Sequence, residues 1–202
     1  MNTAMHLAEQ GKKVTIVDLD IVNPYFRTND ARSVLEQRGI RVIAPEFANS
    51  NLDMPAVPQE VASVFCDRET TAVFDVGGDE DGAFALGQYK RFFDEEGYGM
   101  YMVVNAKRPM MAEDGTLFAM ARMIEAASRL KFTGVINNTN LGKLSDTQTL
   151  CSGMEQAKKL AQELGVPIAA QSGLPEVLAG LPQEVEGRRL PMRIYIKMPW
   201  EI

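Results

Sequence analysis

Several residue types that mark particular protein classes are scarce in this 202-residue chain. Its two cysteines, Cys66 and Cys151, lie far apart in the sequence, which predicts free thiols in a reducing compartment rather than a disulfide framework. The chain has a single histidine, His6, which argues against a histidine-rich metal cluster and against a Ser-His-Asp triad. We therefore expect neither a disulfide-stapled scaffold nor catalysis that depends on histidine.

Charge and hydropathy argue against two kinds of partner. The formal net charge is −6, and there is no run of basic residues of the kind that binds the phosphate backbone of nucleic acids. No apolar run reaches the length of about 18 residues that a membrane span needs, and the first ten residues do not resemble a signal peptide. We expect a cytoplasmic protein that binds neither nucleic acid nor a membrane.

Apolar runs alternate with helical patterns along the chain. The predicted strands are Val14–Asp18, Arg41–Ala44, Thr71–Val76, Met100–Asn105, Gly134–Asn138, Pro167–Ala170 and Met192–Lys197. The predicted helices are Asn2–Gln10, Asn29–Arg38, Gln59–Cys66, Gly82–Glu95, Met111–Leu130 and Asp146–Leu164. Strands separated by helices of this length are typical of parallel βαβ units. The order predicts a doubly wound α/β fold, a mostly parallel sheet with helices on both faces, formed by residues 1–202 as a single domain.

Acidic residues and glycines lie at the C-terminal ends of two of the predicted strands, at the sheet edge where ligands bind in open parallel sheets. The segment VTIVDLD ends in Asp18 and Asp20, and the segment AVFDVGG contains Asp75 followed by Gly77 and Gly78. Carboxylates beside glycines, which let the backbone approach a ligand, are what a nucleotide site needs to hold Mg²⁺ and to sense a phosphate. We predict that these five residues belong to a nucleotide site.

A third strand end carries amides, since the segment GVINNTN contains Asn137 and Asn138. Each of the three patterns also has a purely structural explanation. An aspartate at a strand end often caps the next helix, and asparagines often occupy turns. The occurrence of all three patterns at strand ends favours a ligand site over three unrelated caps and turns.

With these motifs, from Asn2 to about Asn138 and more loosely to the C-terminus, the chain resembles the MinD/ParA/CobQ-CobB-type P-loop ATPases. This branch has a deviant Walker A motif and dimeric catalysis. The segment LAEQGKKVTIVDLD matches the helix and second strand that follow the phosphate loop in that family. The resemblance implies a P-loop NTPase-like fold and a complete protein that hydrolyses ATP with Mg²⁺. Its switch loops would control a protein partner or its own dimer.

The resemblance also implies roles for the strand-end residues. Asp20 takes the switch I position that orients the attacking water, and Asp75 takes the Walker B position near Mg²⁺. Gly78 matches the switch II glycine. Asn138, or equally Asn137, matches the asparagine that reads the edge of adenine.

One part of the family pattern is missing from the sequence. A Walker A loop presents backbone N–H groups and the lysine of a Gly-Lys-Ser/Thr motif to the phosphates at a helix N-terminus. This chain has only GKL at 142–144 and GKK at 11–13, and the second follows a helix, whose C-terminal dipole repels anions. We expect the loop and the strand before it to lie upstream, so that this chain is an N-terminally truncated form with impaired or no activity.

The missing strand has a consequence for association. A sheet without its central strand leaves unpaired backbone groups on Val14–Asp18 and Thr71–Val76 or their neighbours, which predicts self-association.

A function of another class remains open, namely a scaffold or interaction protein that keeps the fold without nucleotide chemistry. A flavodoxin-like or Rossmann oxidoreductase is disfavoured, because no Gly-x-Gly-x-x-Gly occurs.

Overall fold

The chain forms parallel strands flanked by helices, as seen in a computed structural model that describes residues 1–20, 31–44, 60–78, 80–108 and 115–196. In these ranges every strand pair is parallel, which confirms the predicted doubly wound α/β class. The chain divides into two compact units. Unit 1 comprises residues 1–97 and 194–202, and unit 2 comprises residues 98–193.

Unit 1 contains a sheet whose described strands have the order β2-β1-β3. The strands are β1 (Lys13–Asp18), β2 (Arg41–Ile43) and β3 (Thr70–Asp75). The helices are α1 (Asn2–Glu9), α2 (Arg32–Glu36), α3 (Glu60–Val64), α4 (Glu80–Gly87) and α5 (Lys90–Glu96). β1 is buried along its length after Lys13, since it has a strand on each side.

Helix α1 packs directly onto β1. Ala4 and Met5 of the helix and Val14 and Ile16 of the strand are buried in the same apolar cluster. The chain reverses between the two elements at Gly11, whose φ of 79° is in the left-handed region that glycine adopts without strain. The packing of α1 therefore fixes the face of β1 that carries Val14 and Ile16.

The edges of the first sheet differ in part from the prediction. We expected Val14–Asp18 to lack a neighbour, but β1 pairs with β2 on one side and with β3 on the other. The prediction for β1 is wrong because the segment Arg41–Ile43 pairs with it. Within the described residues β3 pairs with β1 alone.

Unit 2 contains a second parallel sheet with the described order β4-β5-β6-β7. The strands are β4 (Tyr101–Val104), β5 (Gly134–Asn137), β6 (Ile168–Gly173) and β7 (Arg188–Pro191). The helices are α6 (Thr116–Ser128), α7 (Thr147–Cys151), α8 (Met154–Leu164) and α9 (Pro175–Ala179), and a 3₁₀ turn spans Gly142–Leu144. β5 and β6 are central in this sheet.

None of the helices in the described ranges of either unit has the length and apolar character needed to cross a membrane.

The last strand among the described residues lies earlier in the chain than the sequence predicts. The segment Met192–Lys197 was expected to form it, but β7 ends at Pro191 and residues 192–196 are not in a strand, while Lys197 lies outside the described residues. Alternating apolar residues suggested the strand, whereas pairing along the edge of β6 selects Arg188–Pro191 instead. Local hydropathy was a poor guide here because strand pairing is decided by tertiary contact.

Two helices predicted as continuous are interrupted. Gly82–Glu95 is divided between α4 and α5, and Asp146–Leu164 is divided between α7 and α8. The second interruption brings Gly153 close to the end of β5, where an added Cβ would collide with Thr139 and approach Asn137 Oδ1 to 3.0 Å. The break in the helix therefore accommodates the polar residues that follow β5.

Candidate functional site

The carboxylates of Asp18 and Asp75 lie at the C-terminal ends of adjacent parallel strands in unit 1. The two residues are register partners at the last paired position of β1 and β3. Neighbouring strands are about 4.8 Å apart, and residues in register share a face of the sheet. Asp18 is buried, with 2% of its surface exposed, and Asp75 is half-buried. The structure therefore brings two of the predicted site residues together.

A tight turn places Asp20 directly beyond β1. Asp18 Oδ1 accepts a hydrogen bond from Asp20 N at 3.0 Å, a bond that aspartate commonly forms with the residue two positions on. Leu19 N donates to Asp75 O at 2.7 Å and extends the strand pairing by one step. Leu19 is fully buried and Asp20 is half-buried. The turn thus fixes the backbone that carries the Asp20 carboxylate.

The glycines after β3 have different surroundings. Gly77 is buried and Gly78 is exposed. A Cβ added to Gly82 in α4 would lie 3.0 Å from Gly77 N and 3.4 Å from Leu19 O, so α4 packs closely against both strand ends. A Cβ added to Gly78 would meet no atom of the described residues within 4 Å. Sequence reasoning missed Gly82, although the glycine-rich segment GGDEDG was a signal of close backbone packing.

The donor set in unit 1 suits Mg²⁺ that arrives with a phosphate ligand. Within the described ranges, no group of three or more His, Cys, Asp or Glu side chains could hold a metal ion. Mg²⁺ usually keeps several waters and binds through one or two carboxylates together with substrate phosphates. Asp18 and Asp75 supply carboxylates in that number, so the residues present fit such an ion.

In unit 2, Asn137 is a buried residue whose side chain is fully used within the protein. It is 0% exposed. Its Nδ2 donates to Leu150 O at 3.1 Å and to Gln171 Oε1 at 2.9 Å. Its Oδ1 accepts from Thr139 N at 3.2 Å and from Thr139 Oγ1 at 2.8 Å. These four bonds use both donor hydrogens and both acceptor lone pairs, so Asn137 has nothing left to offer a ligand.

Asn138, the next residue, has a different environment. It is half-buried, and its backbone N donates to Val104 O at 2.8 Å. Its Oδ1 accepts from Ser172 Oγ at 3.0 Å, and no hydrogen bond engages its Nδ2 in the part of the chain that the structure describes. Of the two asparagines that the sequence left as alternatives, Asn138 is therefore the one with an available donor.

Further polar residues link the ends of β4 and β5. Asn105 Oδ1 accepts from Lys107 N at 3.0 Å and from Asn140 N at 3.2 Å, and its Nδ2 donates to Asn140 O at 3.3 Å. Thr139 Oγ1 accepts from Ala106 N at 3.1 Å. Sequence reasoning missed this group. Asn105 could have been found, because it directly follows an apolar strand as the other candidates do.

Comparison with known proteins assigns no family to the chain. No protein-family model matches it, and no curated protein matches it. Function must therefore be inferred from the strand-end residues themselves. Unit 1 carries Asp18, Asp20, Asp75, Gly77 and Gly78, and unit 2 carries Asn137 and Asn138.

Proposed function

We propose that this chain is the nucleotide-binding part of a MinD/ParA-like protein that binds ATP with Mg²⁺ and, in its complete form, hydrolyses ATP. The main support is the register pairing of Asp18 with Asp75 at the C-terminal ends of β1 and β3. Asp20 follows in a turn held by Asp18. Carboxylates at this edge of a parallel sheet lie where ligands bind in such folds. We further propose that the protein acts in the cytoplasm on a protein partner or on a second copy of itself.

Each strand-end residue of unit 1 has a role in this proposal. Asp75 binds Mg²⁺, and Asp18 adds a second carboxylate beside it. Asp20 accepts a hydrogen bond from the attacking water and so orients it. Gly77 and Gly78 let the backbone approach the γ-phosphate, and no described residue lies within 4 Å of a Cβ added at Gly78. Mg²⁺, when bound with the nucleotide, neutralises charge that develops on the transferred phosphoryl group.

We further propose that Asn138, considered within unit 2 alone, recognises an adenine base. An asparagine side chain pairs with adenine by donating to N7 and accepting from N6. The Nδ2 of Asn138 supplies the donor, and its Oδ1 keeps one lone pair beside the bond from Ser172. Asn137 is unsuited to this role because its amide already makes four internal hydrogen bonds.

The proposal predicts weak ATP binding by this chain alone. In P-loop proteins the backbone and the lysine of the phosphate loop hold the β- and γ-phosphates. The sequence contains no Gly-Lys-Ser/Thr motif to do so. Tight binding therefore requires that a strand and phosphate loop be supplied in addition to these residues.

Isothermal titration with ATP and Mg²⁺ tests the proposal on two proteins, the chain itself and the same chain extended by a strand and a Gly-Lys-Thr loop. We expect negligible heat for the first and clear binding for the second. A scaffold that has lost nucleotide chemistry would show no binding in either protein. Tight binding by the unextended chain would contradict the proposed need for a phosphate loop.

Two variants of the extended protein test the assigned roles. Asp20→Ala should reduce turnover while ATP binding is largely kept, because a water-orienting group contributes mainly to the transition state. Asp75→Ala should weaken the Mg²⁺-dependent part of binding as well. If both variants hydrolyse ATP at the parental rate, the assignment of these residues is wrong.

A further inference from the structure

We propose that Ser172 is a positioning residue that fixes the side-chain amide of Asn138 for recognition of adenine. The inference rests on the proposed role of Asn138 and names the residue that sets its specificity. Ser172 lies in β6 and is 2% exposed. Its Oγ donates to Asn138 Oδ1 at 3.0 Å, and Asn137 O is a second, longer acceptor at 3.3 Å. Because Ser172 is buried, it acts through Asn138 rather than by touching the ligand.

The backbone of Asn138 is already held on two sides. Its N donates to Val104 O at 2.8 Å, and its O accepts from Asn140 Nδ2 at 2.7 Å. Asn140 is held in turn, because its N donates to Asn105 Oδ1 at 3.2 Å. Rotation of the side chain is therefore the main freedom left to Asn138, and the hydroxyl of Ser172 restricts it.

The bond from Ser172 decides which groups of the Asn138 amide are offered. With Oδ1 bonded to Ser172, the amide presents Nδ2, which donates to none of the described residues, together with the second lone pair of Oδ1. Adenine offers an acceptor at N7 and a donor at N6, which this donor–acceptor pair matches in a single orientation. Guanine offers acceptors at both N7 and O6, so one of them would face Oδ1. A fixed amide therefore favours adenine, whereas an amide that rotates freely discriminates less.

The test is an NMR titration of the chain with adenosine and with guanosine, observing the side-chain NH₂ signals of Asn138. These nucleosides carry no phosphate, so the result does not depend on the carboxylates of unit 1. We expect adenosine to shift the Asn138 signals at lower concentration than guanosine does. In Ser172→Ala the affinity for adenosine should fall by about threefold to tenfold, the factor supplied by one ordinary hydrogen bond. In the same variant, the ratio of the affinity for adenosine to the affinity for guanosine should fall by a similar factor.

Ser128→Ala is the matched control, because it also removes a buried hydroxyl from unit 2. The Oγ of Ser128 donates to Ile124 O at 2.7 Å and has no bond to Asn138. Loss of a hydroxyl in general would affect both variants, whereas loss of amide positioning affects only Ser172→Ala. The variants Ser172→Thr and Ser172→Val provide a second comparison, since they have the same shape and differ in the hydroxyl. Adenosine should bind more tightly to Ser172→Thr than to Ser172→Val, because only threonine keeps the hydroxyl.

The outcomes separate this inference from the proposed function. If adenosine shifts the signals of Asn138 and Ser172→Ala keeps the parental affinity and preference, the positioning role is wrong and the base-reading role stands. If adenosine at millimolar concentration leaves Asn138 unshifted in the parental chain, the base-reading role is wrong and this inference fails with it. Equal binding to the threonine and valine variants would also overturn the role of the hydroxyl.

Discussion

Asp18 and Asp75 occupy the last paired position of β1 and β3, so a single strand register places both carboxylates. The same register pairs Ile16 with Val73, and both of these side chains pack in the apolar cluster beneath α1. A slip of one residue would move Ile16 from that cluster to the opposite face of the sheet. Core packing therefore fixes the geometry of the proposed metal-binding pair, and changes in packing near the strand ends should affect the site.

Gly82→Ala tests the close packing of α4 against the strand ends. The new Cβ would lie 3.0 Å from Gly77 N, a contact that forces the neighbouring backbone to shift. Such overpacking costs about 1–3 kcal/mol, partly offset by about 0.5–1 kcal/mol that alanine gains over glycine within a helix. We expect a net decrease of up to about 2 kcal/mol in the free energy of unfolding, measured by urea denaturation.

Gly78→Ala is the control for that measurement, because an added Cβ at Gly78 meets no described residue within 4 Å. We expect its free energy of unfolding to change by less than about 0.5 kcal/mol. If Gly78 contacts nucleotide, this variant should nevertheless weaken ATP binding in a protein that carries a phosphate loop. Equal destabilisation by the two substitutions would contradict the packing described for Gly82.

Asn137→Ala should mainly lower stability, whereas Asn138→Ala should mainly impair binding. Removal of the Asn137 side chain takes away the hydrogen-bond partner of Gln171 Oε1 and of Thr139 N, and an unpaired buried group costs about 1–3 kcal/mol. We expect Asn137→Ala to lower the free energy of unfolding by at least about 2 kcal/mol. Asn138→Ala should cost less than about 1 kcal/mol, because its backbone bonds remain.

Chemical denaturation compares the stability of the two variants, and adenosine titration compares their binding. Asn138→Ala should lose the response to adenosine. If Asn138→Ala is the less stable of the two variants, the division between a structural and a recognition asparagine is wrong.

The carboxyl group of Asp67 should titrate at a lower pH than that of an ordinary aspartate. Its pKa is lowered from 3.8 to about 2, mainly because Lys13 donates a hydrogen bond to the carboxylate and next because Thr70 does so. A lowered pKa in the folded state means that the ionised form stabilises the fold. This contribution is fully present above pH 3.8 and is lost as the pH falls through about 2.

NMR titration of the Asp67 carboxyl group checks this prediction. Lys13→Ala should raise its pKa toward 3.8, because the Nζ of Lys13 donates to Oδ2 at 2.8 Å. Lys12→Ala is the control, as it removes a neighbouring positive charge without that bond. An unchanged pKa in Lys13→Ala would show that the ion pair is not formed in solution.

Self-association through strand edges can be tested at β4, which pairs with β5 alone in the described residues. Val103 lies in this strand with 49% of its surface exposed. A lysine on an edge strand opposes pairing with another chain. We expect the chain to associate at micromolar concentration and Val103→Lys to dissociate more readily on dilution, as measured by light scattering.

Leu144→Lys is the control for charge, because Leu144 is 84% exposed and lies outside the strands. This variant should associate as the parental chain does. A parental chain that remains monomeric and unfolds cooperatively at micromolar concentration would show that its strand edges do not drive association.

The strand pattern and the turns before strands could be predicted from the sequence because they depend on local chemistry. Continuous aliphatic runs predicted Val14–Asp18, and β1 spans Lys13–Asp18. Gly11, Gly39 and Gly165 each lie between a helical pattern and an apolar run, where glycine commonly ends a helix, and their φ angles are 79°, 74° and 70°. Both signals act within a few residues, where the sequence itself carries the information.

The features that the sequence did not predict depend on contacts between distant segments. The position of β7 is set by pairing with β6, and the helix break at Gly153 is set by the side chain of Thr139. The choice between Asn137 and Asn138 depends on Gln171 and Ser172, which lie more than thirty residues along the chain. None of these contacts is visible in a local pattern of hydropathy.

The most direct test of the central claim is paramagnetic broadening of backbone amide signals by Mn²⁺, used in place of Mg²⁺, in the presence of ATP. This measurement detects weak binding, so it can be made on the chain itself at millimolar nucleotide. We predict that Mn²⁺ with ATP broadens the signals of Asp18, Asp20, Gly77 and Gly78 first, and that Asp75→Asn reduces this broadening while Asp67→Asn does not. Broadening that is centred elsewhere, or that is unchanged in Asp75→Asn, would contradict a metal–nucleotide site at the ends of β1 and β3.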